Sequence, residues 1–173
     1  MTEKDKLSRR KLNIYFTLGV VVLAVLAVVG VIHFKSVVPE PSGNDVWGHL
    51  YKSEYLYKAL KRGQIYPLYD ETWYNGIQLY RYWPPLSYYI TAVLMCFTGE
   101  NVINAYYLLF GVYIFFGGLA FLLIGRRIGR PVFGTSLAVL WFFMPENARM
   151  YVDEGNMPRM VVSFLLPYLI YFI

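Results

Sequence analysis

The stretch that decides the fold is IYFTLGVVVLAVLAVVGVIHF, residues 14–34, a near-continuous apolar run of 21 residues. At a rise of about 1.5 Å per residue, a helix of this length matches the roughly 30 Å hydrocarbon core of a bilayer. A cleaved signal peptide would have a shorter apolar core and a small-x-small cleavage site, whereas this run exits through VVPEPSG. The stretch therefore predicts an uncleaved transmembrane helix.

The composition agrees with a membrane protein. Of the 173 residues, 57% are hydrophobic, 19% are aromatic and only 16% are charged, unlike an ordinary soluble domain. The single cysteine, Cys96, supports neither a disulfide nor a cysteine metal site. The positive-inside rule predicts that both basic clusters beside the apolar runs are cytoplasmic, so the net charge of +5 does not indicate nucleic acid as a partner. The clusters are Lys4, Lys6, Arg9, Arg10 and Lys11, and Arg126, Arg127 and Arg130.

Segment lengths and the side of each basic cluster predict the topology. Residues 86–98 reach only about 20 Å as a helix, too short for a span, so we expect an interfacial or re-entrant helix there. The predicted segments are a cytoplasmic tail 1–13, transmembrane helices 14–34, 101–125 and 131–146, a cytoplasmic turn 126–130, an outer first loop 35–85 with an amphipathic helix near 45–62, an outer second loop 147–159, and the start of a fourth transmembrane helix, 160–173.

The predicted fold class is an all-α integral membrane protein, a multi-span helical bundle with a long outer loop that carries amphipathic and interfacial helices. Its predicted location is the cell membrane, with the N-terminus in the cytoplasm. Because residues 160–173 can only begin a span and contain Pro167, which should interrupt the helix, we expect the chain to be an N-terminal fragment of a longer membrane protein.

The stretch SGNDVWGHLYKSEYLYKALKRGQ, residues 42–64, carries the amphipathic helix. Asn44 or Asp45 stands where a helix N-cap belongs. Helical spacing puts Asp45, His49 and Lys52 on one face, where an acid and an imidazole one turn apart would act on one substrate. The alternative is a capping aspartate beside an interfacial histidine, and the spacing alone leaves both open.

The run YRYWPPLSYY, residues 80–89, ends the first loop. Tyrosine and tryptophan concentrate at membrane interfaces and Pro85 suits the first turn of the next helix, so anchoring explains the run. The alternative is recognition, because Arg81 among aromatic rings can bind a phosphate through paired hydrogen bonds that a lysine cannot copy.

The second loop places Asp153 and Glu154 near Arg149 and Arg159. These are either ordinary solvated charges or part of one site shared with the first loop, since both loops are predicted on the outer face. Such a site would lie at the end of a lipid-facing groove.

The order of these features resembles a known superfamily. A first span is followed by Asp45, by a stretch ending in GQIYPLYDETWYNG, by a PPLSYY helix start, by a span with an RR turn, and by Asp153 after the next span. That order resembles the N-terminal part of the GT-C superfamily of polyprenyl-phosphate-sugar-dependent glycosyltransferases. More closely, NDVWGH, WYNG and RYWPPLSYY resemble the membrane proteins described as 6-pyruvoyl-tetrahydropterin synthase-related, although nothing in the sequence indicates pterin chemistry.

The resemblance implies transfer of a sugar from a polyprenyl-phosphate donor to an acceptor on the outer face of the membrane. It implies that Asp45 positions or deprotonates the acceptor and that Asp153 is the second catalytic acid, while a catalytic role for His49 follows from the closer family only. Many relatives carry an acid-Lys pair before the paired prolines, which this chain lacks. The implied substrate- and phosphate-binding residues are therefore Arg81, Tyr82, Trp83, Glu154 and Arg159.

Asp45 and Asp153 are also the candidate ligands of a divalent cation. Two carboxylates do not choose between Mg²⁺, Mn²⁺ and no metal, so the cofactor stays open. A non-catalytic function also stays open, as a transporter subunit or an envelope assembly factor whose loop acids only cap and solvate. A transporter should carry polar or broken segments at bilayer depth, and the predicted spans carry almost none.

The topology gives a first testable prediction. Cysteines introduced at Ser53 and Asn156 should be labelled from outside intact cells, because both positions lie in predicted outer loops. Failure to label either position at normal expression would contradict the arrangement.

Overall fold

The computed structural model describes the backbone of residues 3–173 and the side chains of residues 8–173. This part of the chain is helical and forms no β-strand, apart from an isolated bridge between Asp70 and Ile77, which confirms the predicted all-α class. In the predicted tail, residues 1–2 lie outside the described backbone, and Lys4 and Lys6 lie outside the described side chains.

Two of the described helices are long and apolar enough to cross a membrane. They are α1, Glu3–Val37, whose apolar part is Ser8–Val37, and α4, Val102–Arg127. α4 begins at Asn101, whose side chain accepts a hydrogen bond from the backbone N–H of Asn104, and it ends in two arginines that suit the negative end of a helix dipole.

α1 buries one narrow face and exposes the rest. Leu23 and Phe34 pack toward α4, whereas Val25, Val28 and Ile32 are each more than half exposed. Such an apolar surface suits lipid rather than water.

The remaining helices are shorter: α2, Val46–Lys61; α3, Leu86–Met95; α5, Pro131–Phe142; α6, Pro145–Ala148; a π-helical turn, Arg149–Glu154; and α7, Met157–Phe172. α5 stops at Phe142, earlier than the predicted 131–146, because Met144 precedes a proline and adopts an extended conformation with ψ of 131°. The second loop is largely helical rather than irregular, and α7 continues through Pro167. The predicted interruption at Pro167 is therefore wrong.

The first and second loops meet through their backbones. The N–H of Asn44 donates to the carbonyl of Asp153 over 3.2 Å, and that of Asp45 donates to the carbonyl of Glu154 over 3.0 Å. We call residues 43–45 and 153–155 the loop junction. It joins positions more than a hundred residues apart in sequence.

Glycines on both sides allow this close approach. Gly43 has φ of 125°, and a Cβ there would lie 2.8 Å from the backbone nitrogen of Gly155. Gly155 has φ of 63° and ends the π-helical turn, and a Cβ there would lie 2.6 Å from the Cβ of Val46. The junction therefore requires both an unusual backbone and the absence of a side chain.

A pair of tyrosines fastens the π-helical turn to α4. Tyr106 donates its hydroxyl to the carbonyl of Tyr151 over 2.9 Å, and Tyr151 returns a bond of 2.6 Å to the carbonyl of Tyr106. Their rings stack with centroids 4.8 Å apart, and Phe34 of α1 meets the Tyr151 ring edge-on at 4.6 Å. The second loop is thus held by α1, by α4 and by the first loop.

The fold changes the best positions for the labelling experiment. Ser53 is fully buried, and the Asn156 side chain caps α7 by accepting the N–H of Arg159. Exposed Gln64 in the first loop and exposed Ile128 in the predicted cytoplasmic turn are better probes, in a background without the exposed Cys96. Label should reach Gln64→Cys and not Ile128→Cys.

The loop junction gives a second prediction. In Gly155→Ala, a residue with a side chain must keep the positive φ of the backbone, which costs about 1–2 kcal/mol. The new methyl group also presses on Val46, where overpacking costs about 1–3 kcal/mol. The matched control is Gly63→Ala, which has φ of 81° but nothing within 4 Å. Thermal unfolding in detergent should show the larger loss of stability for Gly155→Ala, and equal losses would mean that the contact does not constrain the fold.

Candidate functional site

A cavity of about 380 Å³ lies where the first turns of α2 face the turn around Trp73, and we call it the polar cavity. It is the meeting point of three parts of the first loop: the residues before α2, one face of α2, and the aromatic segments on either side of residue 80. Its lining residues are Asn44, Asp45, Gly48, His49, Lys52, Trp73, Tyr74, Ile77, Leu79 and Trp83.

α2 supplies the charged wall of this cavity. Asp45, His49 and Lys52 all line it, as their helical spacing predicts. Asp45 is the N-cap residue, but its side chain makes no capping hydrogen bond. Its carboxylate is exposed and belongs to no ion pair among the described side chains, so it is available to a ligand.

His49 is held by a buried phenol. Its Nδ1 lies 2.9 Å from the hydroxyl of Tyr88 on α3, while its Nε2 is buried and, among the described residues, has no hydrogen-bond partner. The side chain is only 3% exposed. Burial lowers the pKa of His49 to about 4, helped by the nearby charge of Lys52 and opposed by Asp45. The imidazole is therefore neutral near pH 7.

Trp73 forms the opposite wall, in a turn organised by Asp70. The buried Asp70 carboxylate accepts bonds of 2.6 Å from the Tyr51 hydroxyl and of 2.9 and 2.7 Å from the backbone N–H and hydroxyl of Thr72. Burial alone would raise the pKa of Asp70, but these donors outweigh burial and lower it. Tyr51 also meets the Trp73 ring edge-on at 4.8 Å.

Sequence reasoning assigned no role to Asp70 or Trp73. The sequence did contain a local signal for this turn. The stretch DETWYNG, residues 70–76, combines an aspartate with an Asn-Gly pair, which is typical of a tight turn. The structure adds that this turn closes through two backbone bonds of 2.9 Å between Asp70 and Ile77.

The tyrosines of the first loop act mainly as internal ties. Tyr80 donates to the carbonyl of Lys52 over 2.6 Å, Tyr89 to that of Ile65 over 2.6 Å, and Tyr66 to that of Tyr80 over 3.0 Å. Two tyrosines of the YRYWPPLSYY run, Tyr80 and Tyr89, thus anchor the loop through hydroxyl bonds to backbone carbonyls.

The other residues of that run separate into two groups. Trp83 lines the polar cavity, with its ring centroid 4.1 Å from the Nζ of Lys52. Arg81 and Tyr82 are exposed and do not line the cavity, and Arg81 instead donates to the side chain of Gln78 over 2.9 Å.

The charges of the second loop neutralise one another. Arg159 binds Glu154 at 2.8 Å and Glu146 at 2.6 Å, and Arg149 binds Glu146 at 3.0 Å and Glu154 at 3.3 Å. A phosphate at Arg159 would have to displace a carboxylate. Asp153 lies outside this network and reaches the site through its backbone at the loop junction.

A second, apolar cavity of about 360 Å³ lies between α1, α4 and the chain from Phe142 to Val152, and we call it the apolar cavity. Its wall includes Phe34, Phe110, Tyr151 and Val152, the residue next to Asp153 in sequence. The polar cavity thus includes Asn44 and Asp45 of the loop junction, and the apolar cavity includes Val152, next to the junction in sequence.

Two carboxylates at the junction are a poor fit to a metal centre. Among the described residues there is no group of three or more His, Cys, Asp or Glu side chains that could hold a metal ion. Asp45 and Asp153 would have to supply all the protein ligands, and we derive no chemistry through a metal.

Comparison with known proteins identifies one family. Residues 80–173, more than half of the chain, match the family model described as 6-pyruvoyl-tetrahydropterin synthase related domain, membrane protein. The match contains Asp153, Glu154 and Arg159 but begins after Asp45 and His49. A membrane-protein family agrees with the apolar helices α1 and α4. No curated protein and no solved structure matches the chain.

The neutral state of His49 gives a third prediction. Because its pKa is about 4 in the folded chain and near 6.5 when unfolded, the unfolded state binds the extra proton between these values. Stability should be complete above pH 6.5 and fall as the pH drops toward 4, by up to about 1.4 kcal/mol per pH unit within this window. Chemical denaturation in detergent at pH 7 and pH 4.5 measures the loss, and His49→Gln should reduce it. The same pH dependence in both proteins would contradict the assignment.

Proposed function

Because the chain belongs to the 6-pyruvoyl-tetrahydropterin synthase-related family of membrane proteins, we propose that it is part of a GT-C-like, multi-span glycosyltransferase. The proposed reaction moves a sugar from a polyprenyl-phosphate donor to an acceptor on the outer face of the membrane. The observation that carries the proposal is the Asp45 carboxylate, which lines the polar cavity without capping its helix or pairing with a cation.

The two cavities suit the two halves of such a donor. A lipid-linked sugar phosphate needs an apolar surface for its tail and polar groups for its head. The apolar cavity is lined in part by Val152, and the adjoining Asp153 and Glu154 accept backbone bonds from Asn44 and Asp45, which line the polar cavity. A single amphiphile can thus extend from one cavity toward the other across the loop junction.

The polar cavity also has the walls of a sugar site. Trp73 and Trp83 offer aromatic faces, and Asp45 and Asn44 offer hydrogen-bonding groups beside them. Sugars present apolar C–H faces and polar edges, so aromatic rings with a few placed polar groups are a suitable lining.

In the proposed step, an acceptor hydroxyl attacks the anomeric carbon of the sugar. The new carbon–oxygen bond forms as the bond between that carbon and the lipid phosphate oxygen breaks, and the hydroxyl proton passes to Asp45. The departing phosphate keeps the bonding electron pair and needs cationic stabilisation. Arg81 and Arg159 are the candidates from the sequence, and Asp153 would help to orient the acceptor.

The exchange of Asp45 for asparagine gives the fourth prediction. The Asp45 side chain makes no capping hydrogen bond, and Asn suits an N-cap position as well as Asp does, so Asp45→Asn should fold normally. It lacks the basic oxygen, and loss of general-base catalysis should lower the transfer rate by about 10²–10⁴-fold. The measurement is transfer of a radiolabelled sugar from a polyprenyl-phosphate donor in membranes that contain the full-length protein, with expression level as the control for folding.

A matched variant tests whether the effect is specific to the carboxylate of Asp45 or follows from removing any carboxylate of the first loop. Glu71→Gln also removes an exposed first-loop carboxylate, but Glu71 does not line the polar cavity, so activity should be unchanged. Wild-type rates in Asp45→Asn would refute the role of Asp45 as the base. No transfer by the wild-type protein with any polyprenyl-phosphate sugar would favour the non-catalytic alternative, a transporter subunit or an assembly factor.

A further inference from the structure

Lys52 is a buried cation without an anionic partner. Its side chain is only 4% exposed, and no described carboxylate lies within 4.0 Å of its Nζ. The Nζ lies 4.1 Å from the ring centroid of Trp83 and 4.9 Å from that of Trp73. Burial lowers the pKa of Lys52, although Asp45 partly opposes this. Aromatic faces attract an ammonium, but this attraction is weaker than the hydration that a buried ion loses.

His49 adds a hydrogen-bond donor to the same cavity. If Tyr88 donates to Nδ1, the imidazole carries its proton on Nε2, and one N–H is left without a partner. If Nδ1 donates to Tyr88 instead, both Nε2 and the phenolic proton are left unpaired. The first arrangement leaves fewer buried groups unsatisfied and is therefore favoured. His49 then serves as a donor rather than as a base.

We propose that Lys52 and the Nε2–H of His49 form an oxyanion-binding site, with Trp73 and Trp83 as its walls, that takes a phosphate monoester or free phosphate. This deepens the proposed function, on which it rests, by moving phosphate recognition from Arg81 and Arg159 to Lys52. Both residues line one cavity, neither group has an acceptor among the described side chains, and a phosphate oxygen is an acceptor for each.

The two arginines are less suited to this role. Arg159 is bound by two carboxylates, and Arg81 is exposed outside the lining of the polar cavity. A phosphate would gain little from an arginine that is already neutralised or fully hydrated. At Lys52 it would pair with the charge of a largely buried side chain that has no carboxylate partner among the described residues.

The test is chemical footprinting of the wild-type protein. Purified full-length protein in detergent is treated with an amine-reactive ester at pH 8, alone, with inorganic phosphate, or with geranyl phosphate, and modification is read by mass spectrometry at Lys52 and at Lys58. Lys58 is the internal control, because it lies on the same helix, is exposed and pairs with Glu54. Geraniol, which has no phosphate, controls for the tail.

We expect geranyl phosphate to slow the modification of Lys52 at least tenfold and to leave that of Lys58 unchanged. Equal protection by inorganic phosphate would identify free phosphate as a sufficient ligand, whereas protection by geranyl phosphate alone would identify a lipid-borne headgroup. Protection by neither ligand, or equal protection by geraniol, would overturn the inference.

Variants supply an independent measurement. The apparent Kd for geranyl phosphate, followed by tryptophan fluorescence, should rise at least tenfold in Lys52→Met and stay constant in Lys58→Met. An unchanged Kd in a folded Lys52→Met would also overturn the inference. Sugar transfer with no protection of Lys52 would leave the proposed function standing without this site, and protection of Lys52 without sugar transfer would leave the site standing without the proposed function.

Discussion

The structure depends on two backbone hydrogen bonds that join the first loop to the second, from Asn44 and Asp45 to the carbonyls of Asp153 and Glu154. Backbone amides at the start of a helix have no partner within it, so α2 needs acceptors from elsewhere in the chain. The second loop supplies one for the N-cap residue Asp45 and another for the preceding Asn44, and Gly43 and Gly155 let the two loops approach closely enough. The start of α2 is therefore fixed by a segment from the far end of the chain.

Desolvation links the scaffold to the chemistry of the polar cavity. Tyr80 and Tyr88 pack beneath α2 and remove water from one side of His49 and Lys52. The same burial lowers the pKa of both bases, because each is charged when it binds a proton. His49 avoids the cost of burying a charge because its imidazole stays neutral. Lys52 has no hydrogen-bonding or carboxylate partner among the described side chains, and the proposed oxyanion site is therefore centred on it.

The family match and the polar cavity occupy complementary parts of the chain. The match begins at Tyr80 and includes α3, α4 and the second loop, whereas Asp45, His49 and Lys52 precede it. The matched region therefore supplies α4, one of the two long apolar helices, and the second-loop side of the junction, and the preceding helix supplies most of the polar groups. The two parts meet at the loop junction, where Asn44 and Asp45 of the cavity lining bond to the backbone of Asp153 and Glu154.

The sequence alone determined the helical class, the two long apolar helices and the shared face of Asp45, His49 and Lys52, because apolar length and helical period are local properties. It also indicated loop contact, through the order of spans and acids. Only the tertiary structure decided that Arg159 is neutralised by Glu146 and Glu154, that Ser53 is buried, and that Trp73 and Trp83 enclose Lys52. Each of these depends on residues distant in sequence or on the path of a turn, and a charge or an aromatic ring has no fixed role until its neighbours and its exposure to water are set.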